Sequence, residues 1–425
     1  MRLKLLLAVF LISPFFMRPV LAQSLPYIKS ASAGNYFGDS TVTPSESDVY
    51  NASLVIAQSL KTKMGSEPVR AVIMLTNAGY PAKTVEAVKS VFGANTQIFG
   101  AATGSAKYQP LSIDFFPPPL SKHLSLTAIG GSAITSITQA DDGAQYGYGG
   151  DDAKITAGTK AMALKLTPNP NKKNLLLLTG PGHWDNNVAI LAGVKQAWGD
   201  PLPSYIKVIG MGSADGYAAS IVNGIAKGGT VNAILLSGDF NIASRGVGEG
   251  FGGDPVLVTK NLLNQIKTEL NGNADILFYV PGHPQEQTGY TGINPAVMYQ
   301  NMRQTVIDVF GNVSLVGHHA SSETGQKLTN SPAEAVKYTF YAVGIKAGIG
   351  PTNPPDPTVT LSPTPTLGAK PGDANGDGKA DGLDYVIWLI NYNKTVASGV
   401  SSGDFNKNGI VDGLDYVIWL NNYNK

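Results

Sequence analysis

Residues 71–102 read AVIMLTNAGYPAKTVEAVKSVFGANTQIFGAA. The stretch opens on a β-prone apolar run, Ala71–Leu75, and closes on a second, Ile98–Ala102. A helix-like segment, Ala82–Phe92, lies between them. Short apolar runs separated by a helical period are the mark of strands that share a sheet with a helix packed on it.

The alternation continues outward in both directions. Strand-like runs recur at Leu124–Ile129, Leu175–Leu178, Ile206–Ile209, Val231–Leu236, Ile276–Val280 and Val313–Val316. Helical patterns lie at Ser47–Leu60, Asp152–Leu166, Asn187–Trp198, Thr259–Leu270, Pro295–Phe310 and Pro332–Lys346. Residues 23–349 are therefore expected to form a large α/β domain. Several runs end on glycine, at Gly100, Gly104, Gly180, Gly182, Gly210, Gly212, Gly282 and Gly317. Strand ends are where α/β proteins commonly receive ligands.

Composition narrows the function classes. Of 425 residues, 43% are hydrophobic and 14% charged, which suits a folded chain with a sizeable core. The formal net charge of +1 offers no basic field, so nucleic acid is excluded as a partner. Met1-Arg2-Leu3-Lys4 precedes an apolar run from Leu5 to Phe16, and Val20-Leu21-Ala22 follows with acceptably small side chains at the two positions a signal peptidase reads. Residues 1–22 read as a signal peptide, cut after Ala22, which predicts an extracytoplasmic protein. The run is too short to cross ~30 Å of hydrocarbon, and no membrane span is expected after cleavage. There is no cysteine, hence no disulfide and no thiolate metal site.

Composition changes at residues 350–370, GPTNPPDPTVTLSPTPTLGAK, where proline and threonine dominate. This reads as a semi-rigid linker. Beyond it, residues 371–425 contain two matching segments. Gly372-Asp-Ala-Asn-Gly-Asp-Gly-Lys-Ala-Asp-Gly-Leu-Asp384-Tyr-Val-Ile-Trp-Leu is followed by Gly403-Asp-Phe-Asn-Lys-Asn-Gly-Ile-Val-Asp-Gly-Leu-Asp415-Tyr-Val-Ile-Trp-Leu. Oxygen side chains fall at loop positions one, three, five, nine and twelve, with glycine at six. Calcium takes six to eight oxygens at about 2.4 Å, and this spacing turns them inward on a tight loop. Two ions are predicted. Asp373, Asn375, Asp377, Asp381 and Asp384, with the carbonyl of Lys379, are assigned to one. Asp404, Asn406, Asn408, Asp412 and Asp415, with the carbonyl of Ile410, are assigned to the other. The twelfth residue opens a helix in each copy, so this domain is expected to be small and all-α.

The paired loop–helix repeats resemble a dockerin over Pro371–Lys425. The resemblance implies docking to a cohesin domain on a scaffold or surface protein. It also implies that loop positions ten and eleven, Gly382-Leu383 and Gly413-Leu414, help select that partner. Tyr385, Trp388, Tyr416 and Trp419 can belong either to the core or to the docking face.

The large domain carries no G-x-S-x-G, H-E-x-x-H or P-loop motif, and no catalytic residues are assigned. His183, His283 and His318 each follow a glycine at a predicted strand end. With Asp185 and Glu323 they could converge on a metal or a general-base site, or they could make ordinary loop hydrogen bonds. Ile98-Phe-Gly-Ala-Ala-Thr-Gly104, Val208-Ile-Gly-Met-Gly-Ser-Ala-Asp215 and Leu315-Val-Gly-His-His-Ala-Ser-Ser-Glu-Thr-Gly325 resemble, in order and spacing, the FIST sensory domain family. That resemblance implies a small-molecule ligand, such as an amino acid. It places Thr103, Gly104, Ser213, Asp215, Ser322 and Glu323 near the pocket. The expected function is thus an exported sensory-type ligand-binding domain tethered through its C-terminus. The rival is a tethered hydrolase acting on polysaccharide or cell-wall material.

Overall fold

The computed structural model describes residues 25–423, apart from 40, 103–108, 115, 117–120, 147–149, 181–186, 211–218, 223, 248–253, 282–293, 320–321, 326–333, 338–339, 349–369, 375–378 and 397–398. The chain divides into two compact units, Met1–Pro351 and Thr352–Lys425.

The larger unit has a mixed α/β fold built from one pattern used three times. The first copy comprises β1 (Lys29–Asp39), α1 (Glu46–Met64), β2 (Ala71–Thr76), α2 (Pro81–Phe92), β3 (Gln97–Ala102), β4 (Gln109–Leu111) and β5 (Ser121–Gly130). The second comprises β6 (Ile134–Asp141), α3 (Asp152–Leu164), β7 (Lys173–Thr179), α4 (Asn187–Trp198), β8 (Ile206–Gly210), β9 (Ala219–Val222), β10 (Ile225–Gly228) and β11 (Asn232–Gly238). The third comprises β12 (Phe240–Val247), α5 (Pro255–Glu269), β13 (Ile276–Val280), α6 (Pro295–Phe310), β14 (Ser314–His319), β15 (Ser322–Gly325), β16 (Glu334–Lys337) and β17 (Phe340–Ala347).

Each copy contributes four neighbouring strands in the same order, β1-β5-β2-β3, β6-β11-β7-β8 and β12-β17-β13-β14, to sheets of six, four and five strands. In each, the two strands of the β-α-β unit run parallel, and the returning strand lies antiparallel on the other side. The segment inserted before the returning strand crosses to another copy. β4 pairs with β14, β9 pairs with β3, and the β15–β16 hairpin lies beside β8. The three crossings run in one cyclic sense.

Alternation of side chains across each β2-like strand explains the continuous apolar runs. Ile73, Leu75, Leu175, Leu177, Ile276 and Phe278 meet in one central core between the sheets. Their neighbours point the other way, under the helices. Val72 and Met74 meet Leu60 and Val88, Leu176 and Leu178 meet Ile190 and Val194, and Leu277 and Tyr279 meet Ile266 and Met302. Strands buried on both faces lose the polar half of the alternation. Each fully buried aliphatic or aromatic side chain contributes roughly 1.5–3 kcal/mol.

The sheets are stitched at their seams in the same cyclic sense. Thr127 Oγ1 on β5 donates to the carbonyl of Leu315 at 3.0 Å. Tyr341 OH on β17 donates to the carbonyl of Val208 at 2.8 Å. Asn232 Nδ2 on β11 donates to the carbonyl of Ile221 on β9 at 3.0 Å.

One element differs in kind from the sequence expectation. Residues 332–346, expected to be a helix, contain β16 and all of β17 but its last residue. Ala335 and Lys337 suit a helix, but Val336 is β-branched, and β17 is clamped between β12 and β13 and buried from Phe340 to Ile345. Two ladders and burial on both faces override a weak local preference.

The smaller unit holds α7 (Gly382–Asn391), a short 3-10 turn (Gly399–Ser402) and α8 (Gly413–Asn422). Its core is Ala374, Ala380, Trp388, Phe405, Val411 and Trp419, with Tyr385 and Tyr416 packed against it. An antiparallel bridge joins Thr395 to Ile410. Among the described residues, no helix of the protein is long and apolar enough to cross a membrane.

Candidate functional site

The second loop of the smaller unit lies wholly within the described residues and is wrapped around its two end carboxylates. Asp404 accepts from the backbone N–H groups of Asn408 at 3.0 Å and Gly409 at 2.9 Å. Asp415 accepts from Asn406 at 3.0 Å and Asp412 at 2.9 Å. Asn406 Oδ1 accepts from the N–H of Asn408, and Asn408 Oδ1 accepts from that of Ile410. Gly409 sits at φ +86°, where an L side chain would be strained, and makes the sharp turn. Asp412 caps α8 through Leu414 N–H, in a capping box closed by Asp415.

Asp404 is 1% exposed and Asp415 is fully buried. Among the described residues, no basic side chain is paired with Asp404, Asp412 or Asp415. Withdrawing a carboxylate from water is costly unless a cation or several donors replace the water. Backbone N–H groups orient these carboxylates and supply part of that replacement, while further lone pairs remain for a cation. The donor set is all oxygen, which suits a hard divalent ion. The carboxylates face backbone amides here, and no three His, Cys, Asp or Glu side chains among the described residues converge as a metal set.

The first loop repeats the scheme where it is described. Asp384, fully buried, accepts from the N–H groups of Ala374 at 2.8 Å and Asp381 at 2.7 Å. Asp373 is 7% exposed and Lys379 is exposed. Asn375 and Asp377 lie outside the described residues. Leu414 is 64% exposed at the start of α8, Gly382 and Gly413 are exposed, and the Leu383 side chain is outside the description. The four aromatics, left open between core and docking face, all take part in the packing: Trp388 and Trp419 are each 8% exposed.

The pocket residues expected in the larger unit are not brought together among the described residues. Thr103, Gly104, Ser213 and Asp215 lie outside them, as do His183, Asp185 and His283. Ser322 and Glu323 are on β15, opposite Lys337 and Val336. Two described histidines are buried on either side of Pro110. His318 pairs with it in the β14–β4 ladder, and the His123 ring nitrogen Nδ1 lies 2.7 Å from its carbonyl. Burial pushes the His123 pKa down to about 4. Asn77, a position the sequence did not single out, grips the same strand: its Oδ1 accepts from His123 N–H and its Nδ2 donates to Ser121. No local spacing signals that contact.

No family model matches the chain, and no curated protein does. Among solved structures, a cyanuric acid hydrolase from A. caulinodans superposes with a TM-score of 0.41 and 10% identity, covering 76% of this chain and 100% of that one. A second cyanuric acid hydrolase structure gives a TM-score of 0.36 and 9% identity, with the same two coverages. The expectation of a sensory-type ligand-binding domain for the larger unit is corrected: the solved structures named here are hydrolases. At such identities and TM-scores the likeness supplies no substrate or reaction for this chain.

Proposed function

We propose that the smaller unit is a calcium-dependent docking module that binds two calcium ions and attaches the larger unit to a cohesin-bearing partner outside the cytoplasm. One observation carries the reading. Asp404 and Asp415 are buried carboxylates from the two ends of one loop, each fixed by two backbone N–H groups and, among the described residues, neither paired with a basic side chain. Bound calcium would supply the missing positive charge, and the loop's own amides hold the carboxylates near their working orientation. The exposed side chain of Leu414, at a position where the dockerin resemblance expects partner selection, supports the docking half.

Equilibrium calorimetry of the full chain with calcium tests the reading. Two ions per chain are expected, with uptake by the second loop lost in Asp415→Ala. Pull-down on a cohesin from the same source is expected in calcium and not in chelator. Absence of calcium uptake, or calcium-independent capture, would refute it.

A further inference from the structure

Each tryptophan of the smaller unit is bound to the loop of the other repeat. Trp388, on the helix that closes the first loop, donates its indole N–H to the carbonyl of Asp412 at 2.8 Å. Trp419, on the helix that closes the second, donates to the carbonyl of Asp381 at 2.7 Å. Asp412 and Asp381 hold the ninth position of their loops.

Backbone contacts repeat the crossing. A Cβ on Gly403, just before Asp404, would lie 2.6 Å from Trp388 Cα. A Cβ on Gly372, just before Asp373, would lie 3.0 Å from Trp419 Cα. Both glycines have positive φ, +84° and +91°. Each tryptophan therefore abuts the glycine that precedes the opposite loop and holds the carbonyl of that loop's ninth residue. The rings interleave as well: Tyr385 lies 5.0 Å from Trp419 and Trp388 lies 5.1 Å from Tyr416, centroid to centroid.

We infer that Trp388 and Trp419 are positioning residues that couple the two calcium sites, so that filling one loop raises the affinity of the other. The inference rests on the calcium reading above. When Asp384 closes on an ion it fixes the start of α7, and α7 carries Trp388. Trp388 then holds the Asp412 carbonyl, and part of the entropy of ordering the second loop has already been lost. The reverse route runs through Asp415, α8, Trp419 and Asp381. Coupling of this kind is reciprocal by thermodynamic necessity.

The test uses the full chain, calcium calorimetry and circular dichroism to check helix content. In the parent chain filling of either loop is expected to tighten the other, so Asp373→Ala, which silences the first loop, should itself weaken the second several-fold, and an unchanged second loop refutes the coupling. On that background Trp388→Phe is expected to weaken the second loop about threefold to tenfold, the worth of one hydrogen bond. Trp419→Phe, on the second loop's own helix, is expected to weaken it less. On an Asp404→Ala background the two tryptophans exchange roles. If each change weakens mainly the loop before its own helix, or both loops alike, the coupling is refuted. A parent chain that takes up no calcium refutes instead the reading beneath it. Should a phenylalanine variant lose helix, the Asp373→Ala chain with both tryptophans intact decides by nuclear magnetic resonance. The indole N–H signal of Trp388 must shift as the second loop fills, and an unmoved signal overturns the inference.

Discussion

The hydroxyl of Tyr341 lies 2.8 Å from the carbonyl of Val208, inside the protein, and joins the returning strand of the third sheet to the third strand of the second. It is one of three such bonds made in cyclic order at the seams. Tyr341→Phe keeps the ring and leaves the Val208 carbonyl without that donor. A loss of about 1–3 kcal/mol is expected, because an abandoned buried acceptor costs more than an average hydrogen bond contributes. Urea unfolding monitored on the larger unit measures it.

Gly100 faces Met74 across the parallel pair of the first sheet. A Cβ there would stand 1.7 Å from the Met74 carbonyl oxygen, which belongs to backbone and cannot turn aside. Gly100→Ala is expected to destabilise the larger unit by at least about 3 kcal/mol, at the upper end of overpacking costs. Gly65→Ala meets nothing within 4 Å but sits at φ +62°, so its cost is confined to the local backbone. Thermal melts of the two variants should separate clearly, with Gly100→Ala the lower.

His123 is fully buried, and its pKa falls from 6.5 to about 4 in the folded protein. Between those values the unfolded chain binds the proton and the folded chain does not. Stability is therefore full above pH 6.5 and is lost as pH falls toward 4, by on the order of 3 kcal/mol. Denaturant titrations at steps between pH 7 and pH 4 should show this slope. His123→Gln should lower the baseline and remove that proton's share of the slope.

The two calcium loops differ in charge. The first carries four carboxylates, Asp373, Asp377, Asp381 and Asp384, and the second three, because Asn408 stands at position five. On the proposed reading the second loop is the weaker, since affinity rises with ligand charge. Asn408→Asp retains the oxygen that accepts from Ile410 N–H and adds the missing charge. Its second site should tighten several-fold in calorimetry at low ionic strength, with the first little changed.

The parts of this protein that were legible in its sequence are those in which neighbouring residues do the work together. The strands at 71–76, 173–179 and 276–280 announce themselves because both faces are buried and each carries an unbroken apolar run, Ala71–Leu75, Leu175–Leu178 and Ile276–Val280. The outer strands β1, β6 and β12 do not: each has one neighbour in its own sheet, and β6 and β12 mix buried with open positions. Ala335–Lys337 misled for the same reason, since their strand state comes from pairing that local preference does not record.

The sequence by itself determined the mixed α/β character of the larger unit and the oxygen spacing of the two C-terminal loops. Period and spacing are properties of a contiguous segment, set by pleat, helical turn and the reach of a side chain. Only the tertiary structure decided that three sheets of one order exchange insertions in a ring, that Asn77 clasps His123, and that each tryptophan serves the other repeat's loop. Those are contacts between residues far apart in the chain. Their partners are chosen by which faces remain to be covered once each element has formed, and no local period encodes that choice.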